Sequence, residues 1–152
     1  RGDIVYLLIS SILAIVWTVF ARNNYGYDRG MIYIFGLSAF PLFAWSTGLA
    51  ALYLLYHDIE QIFMRNNGWL KRFILFTMLY IVFIISLETI AYHIFGIKNV
   101  VTAIYPGLPV CNCIHAPIWM QASYLLIGPI YFIISRNYKL YNTPWVRIKK
   151  WN

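Results

Sequence analysis

FILFTMLYIVFIISLETIAYHIF, the stretch from Phe73 to Phe95, is a run of 23 residues with a single acid, Glu88, and no Lys or Arg. A helix rises about 1.5 Å per residue, so about 20 such residues cross the roughly 30 Å of bilayer hydrocarbon. The run therefore reads as a transmembrane helix. Three more blocks share its character: Ile4 to Ala21, Met31 to Tyr56 and Pro117 to Ser135. The second meets no strong breaker before Asn66-Asn67-Gly68, so its helix has room to extend to Met64. The first lacks a small-residue cleavage site and reads as a span rather than a signal peptide. The expected fold is an all-α integral membrane domain, residues 1–152, with four transmembrane helices in an antiparallel bundle.

Composition agrees. With 61% hydrophobic and 11% charged residues and a mean hydropathy of +0.65, a 152-residue chain has too little polar surface to cover itself in water. Tyr6, Tyr25, Tyr27, Tyr33, Tyr53, Tyr56, Tyr138 and Trp145 fall near block ends, where aromatic rings favour membrane interfaces.

The cations set an orientation. Alternation across four spans puts Arg1, Arg65, Lys71, Arg72, Arg136, Lys139, Arg147, Lys149 and Lys150 on one side and Arg22, Arg29 and Lys98 on the other. Cytoplasmic loops carry the excess of Lys and Arg, so both termini are expected in the cytoplasm. The net charge of +7 then reflects topology and attraction to anionic headgroups, and nucleic acid is not an expected partner. The basic tail, residues 136–152, interleaves Trp145 and Trp151 with Arg147, Lys149 and Lys150. It suits an anionic membrane surface at about 1 kcal/mol per cation, and serves equally as an ordinary stop-transfer flank.

Turn residues between Arg22 and Gly30 predict an antiparallel hairpin of the first two helices. Pro41 is expected to kink the second helix and Gly128-Pro129 to bend the fourth. Ala44, Gly48 and Ala51 form a small-residue stripe on which another helix can pack.

Three constellations carry candidate chemistry. In the connection from Ile97 to Ala116, an extended Cys111-Asn-Cys113-Ile-His115 would point two thiolates and an imidazole to one side, as copper or zinc prefers. A disulfide or two free thiols explain the same cysteines. Glu88 costs about 2.5 to 3.5 kcal/mol inside a bilayer, so it must face protein or water, be protonated or find a donor. It serves either structure, through a bond to a neighbouring helix, or a proton- or ligand-handling site. His57 and Glu60, at spacing i+3, can bind a metal, stabilise each other or simply end a helix at the interface.

The segment from Phe83 through Glu88 to Gly96, followed by Tyr105-Pro-Gly107-Leu-Pro109 and Pro117-Ile-Trp119, resembles the small integral-membrane carotenoid-pathway proteins of the lycopene cyclase type. Those have an acid near a span end, a Gly- and Tyr-containing connection and a Pro-led following helix. The resemblance implies a shared helical layout. The family's paired Glu would fall between Cys111 and His115, where this chain has no acid.

Catalytic groups are sparse, so the first expectation is a non-catalytic accessory subunit, with other membrane subunits and lipids as partners, rather than an enzyme by itself. The alternatives are an enzyme or binding protein for an isoprenoid or lipid using Glu88, and a metal-handling protein using Cys111, Cys113 and His115.

Overall fold

A computed structural model describes residues 2–27, 32–63 and 67–142. Four helices dominate: α1 (Gly2–Phe20), α2 (Ala39–Phe63), α3 (Trp69–Thr89), which continues through a π-helical turn at Ile90–Ile94, and α4 (Ile118–Asn142). The segments Ala39–Phe63, Trp69–Ile94 and Ile118–Tyr138 are long and apolar enough to cross a membrane, whereas the apolar part of α1, Ile4–Phe20, is shorter. Helices suit lipid because every backbone polar group bonds within the segment. Hydroxyls follow the same logic: Thr18, Thr47, Thr89 and Ser123 each donate to the carbonyl one turn back, at 2.6 to 2.8 Å.

Neighbours alternate in direction. Tyr6 packs on Tyr53 and Trp17 on Trp45, so α2 runs antiparallel to α1. Phe76 stacks on Phe132, while Tyr80 donates a hydrogen bond to the Tyr124 carbonyl, which makes α3 and α4 antiparallel. The first and third connections consequently meet at one end of the bundle. There the Asn99 amide donates to the Asn24 carbonyl at 2.6 Å and accepts from the Gly26 N–H at 3.0 Å.

The most extensive helix pair, α1 with α2, uses a small-residue stripe other than the expected one. Ser10, Ala14 and Thr18, four apart on α1, are fully buried, and Ser10 Oγ donates to the Ser46 carbonyl at 2.7 Å. Ala44 and Ala51, by contrast, are exposed on α2, and a Cβ added at Gly48 would meet only the Phe83 ring at 3.9 Å. Both stripes are small, and composition alone does not say which one a neighbour covers.

Residues 33–38, inside the expected second helix, form a hairpin instead. β1 (Tyr33–Ile34) pairs antiparallel with β2 (Leu37–Ser38) around Phe35 and Gly36, whose φ angles are 51° and 76°. Two consecutive positive φ values match the twist of a two-residue hairpin loop. Hydropathy averages over this difference, because apolar strand and apolar helix read alike in a wide window. Pro41 also departs from expectation: it lies in the first turn of α2, where the N–H it lacks would have no helical partner, so it begins the helix rather than kinking it. Pro129 does lie inside α4. The basic tail with Trp145, Arg147, Lys149, Lys150 and Trp151 falls outside the described residues.

Many of the tyrosines expected at the interface are core residues. Of these, Tyr25, Tyr53 and Tyr56 are buried; Tyr53 and Tyr56, joined by the equally buried Tyr80 and Tyr131 from within the spans, are each at most 4% exposed and pack in one cluster with Phe76 and Phe132. Lipid does not drive apolar helices together, so offset and edge-on ring packing at about 0.5–1.5 kcal/mol per pair supplies specificity that burial alone cannot.

Candidate functional site

Residues of α2, α3, α4 and the third connection line a cavity of about 320 Å³. Its wall is mainly aliphatic and aromatic, and among the described residues Glu88 is the only Asp or Glu that lines it. Glu88 sits in the last turn of α3, two residues before the helix widens into the π-helical turn at Ile90. Tyr92, at i+4, lines the same cavity. Among the described residues nothing hydrogen-bonds to the Glu88 carboxylate, and no cation comes within salt-bridge distance. The cavity adjoins a groove of about 880 Å³ beside the hairpin, and the two share Tyr27, Phe40, Ala44, Phe95 and Ile97 as a common wall. Gly48 lines the cavity too, so the absence of its side chain leaves volume there.

Below the loops, four elements converge on one hydroxyl. Trp17 Nε1 donates to Tyr25 Oη at 2.6 Å, Trp45 Nε1 reaches it at 3.4 Å, and the Tyr124 hydroxyl lies 3.1 Å away. Burial holds the pKa of Tyr25 above the usual phenol value, so the group stays a neutral donor and acceptor. Tyr25→Phe is expected to cost about 1–3 kcal/mol, since it leaves buried indole N–H groups without an acceptor. A lowered midpoint in thermal unfolding of the purified protein checks this, and an unchanged midpoint would mean that ring packing alone holds the hub.

The third connection closes the loop end as a knot. Cys111 and Cys113 are disulfide-bonded, and the His93 Nε2 donates to the Cys111 carbonyl at 3.1 Å. The His115 ring lies 2.8 Å from the Tyr105 carbonyl through Nδ1 and 3.2 Å from the Asn112 carbonyl through Nε2. It stacks on Tyr92 with centroids 4.7 Å apart, and the Lys98 ammonium lies 4.8 Å from the centre of that same Tyr92 ring. The strand-like geometry that would aim Cys111, Cys113 and His115 to one side is absent, because Asn112 and Ile114 have φ of 44° and 30° and turn the chain. With the disulfide formed neither sulfur is a thiolate, so a copper or zinc reading of this set requires reduction first. Among the described residues no three His, Cys, Asp or Glu side chains converge as metal ligands.

At the opposite end His57 and Glu60 do meet, with Nδ1 to Oε2 at 3.7 Å, but the chief partners of Glu60 come from other helices. Arg72 of α3 is 2.7 Å from Oε1 and Arg136 of α4 is 3.6 Å from it. The pattern His57-x-x-Glu60 was visible in the sequence. The two arginines, 12 and 76 residues further along the chain, became its partners only through the bundle.

The site thus defined is a mostly apolar cavity within a helical bundle, with the Glu88 carboxyl group in its wall. No protein-family model, no curated protein and no solved structure matches this chain.

Proposed function

We propose that the protein is a multi-pass membrane protein of four spans with both termini cytoplasmic, and that its loop-end cavity binds an amphiphile of the lipid or isoprenoid class. The observation that carries the reading is the carboxyl of Glu88, without a partner among the described residues, in a mostly apolar cavity. An acid kept in such surroundings costs free energy unless a ligand, water or a proton meets it. Volumes of about 300–1,000 Å³ lined by apolar groups with a few polar ones are typical of small-molecule sites. Four spans are supported by the antiparallel packing of α1 on α2 and by its 19-residue length, within the range of about 17–25 residues seen for spanning helices. The orientation rests on the nine cations against three.

One observation favours the accessory-subunit reading as a second: Ala44, Thr47 and Ala51 leave a small-residue face of α2 exposed, where a partner helix fits. Native mass spectrometry of gently released protein separates the two. The ligand reading predicts a discrete small-molecule adduct that Gly48→Leu removes, because the leucine fills cavity volume without adding charge. Loss of a partner chain instead would select the accessory reading, and a wild-type spectrum with neither would reject both.

A further inference from the structure

Taking the cavity to be a ligand site, as proposed above, we infer that it selects amphiphiles with a cationic head, a protonated amine or a quaternary ammonium, over neutral or anionic ones. Three features of the molecule converge on this. The first is sign: the ionised form of Glu88 is an anion with no counter-cation among the described residues, although His115 lines the same cavity. The His115 ring lies against the Tyr105 and Asn112 carbonyls, and among the described residues no salt bridge joins it to Glu88. The second is the aromatic wall. Tyr27, Trp45, Phe83 and Phe95 line the cavity with Glu88, and ring faces attract organic cations, most strongly where water is excluded. The chain already displays the interaction at the cavity's edge, where the Lys98 ammonium lies 4.8 Å from the Tyr92 ring centre.

The third feature is shape. Phe40, Ala44 and Phe95 form part of the wall common to the cavity and the groove of about 880 Å³ beside the hairpin. The proposal places the head at Glu88 and directs its tail toward that neighbouring groove, which Ile34 and Phe43 also line. An anionic head would meet Glu88 with like charge and leave both groups short of partners. A neutral alcohol would fill the space, gaining a hydrogen bond but neither ion pairing nor cation–π attraction. Ion pairing in a water-poor site gains more than at a surface because the local dielectric is low.

The test compares heads on one tail. Binding of radiolabelled dodecyltrimethylammonium, dodecanol and dodecyl sulfate is measured by equilibrium dialysis on the protein in nanodiscs of uncharged lipid, with empty nanodiscs as the blank. The expected result is dodecyltrimethylammonium at least about tenfold tighter than dodecanol, no saturable dodecyl sulfate binding, and a ratio close to one in Glu88→Gln. Equal binding of the ammonium and the alcohol to the wild type overturns the charge selectivity while leaving an amphiphile site in place. Absence of saturable binding by all three overturns the cavity's role as well. The wild-type comparison needs no variant, so the inference stays testable even if Glu88→Gln does not fold.

Discussion

Replacing Glu60 with alanine is expected to destabilise the bundle by about 3 kcal/mol, because it strips the shared acceptor from two arginines on different helices. The Glu60 side chain is 11% exposed and lies 2.7 Å from Arg72 and 3.6 Å from Arg136. Both arginine side chains are about a fifth exposed, at 21% and 19%. Water therefore reaches them, and the loss belongs at the lower end of the roughly 3–5 kcal/mol range for broken buried pairs. Glu60→Gln, which keeps an acceptor oxygen, should recover part of that loss. Reversible unfolding in mixed micelles of rising SDS fraction measures both variants. A change within about 0.5 kcal/mol for the alanine variant would place the cluster with exposed surface pairs, which contribute little.

Gly128→Ala is expected to be comparably disruptive for a steric reason. A Cβ at this position would stand 2.4 to 2.5 Å from three atoms of the Tyr80 ring. That ring has little freedom to retreat, since Tyr80 is only 1% exposed and its hydroxyl bonds the Tyr124 carbonyl on the turn facing it. Overpacking of this kind costs about 1–3 kcal/mol, occasionally more, and here it would also push α3 from α4 at the depth where the cavity begins. The single variant should unfold earlier in the same SDS titration. Adding Tyr80→Ala removes the clashing ring, so the double variant should be less destabilised than the sum of the two single changes. Strict additivity would show that Gly128 and Tyr80 do not meet.

Hydropathy made the helices legible, because lipid leaves a spanning chain little choice of backbone structure. It did not resolve residues 33–38, where Ile, Tyr and Phe suit a strand as well as an apolar helix and only the φ values of Phe35 and Gly36 decide. Glu88 was conspicuous as an acid within an apolar run. Its surroundings were not, since the cavity is lined by residues from three helices and a connection that no single segment encodes. Of the two small-residue stripes, the one on α1 containing Ser10, Ala14 and Thr18 packs on α2, while Gly48 of the other lines the cavity. The Tyr25 hub was equally hidden: its partners Trp17, Trp45 and Tyr124 lie on three helices, and Tyr124 is 99 residues away in the chain. Tyrosines near block ends suggest an interface by rule, yet a hydroxyl that finds buried partners serves the core as readily.

Photo-crosslinking with an alkyl diazirine amphiphile, mapped residue by residue, tests most directly whether the cavity is occupied. The account predicts saturable labelling concentrated on residues that line it, such as Gly48, Phe83, Leu87 and Ala91, and suppression of that labelling by Gly48→Leu. Lipid-facing positions such as Met78 and Val82, 61% and 64% exposed, should label without saturation as the probe concentration rises. Labelling confined to Met78, Val82 and similar outward positions, with no saturable component at Leu87 or Ala91, would contradict it.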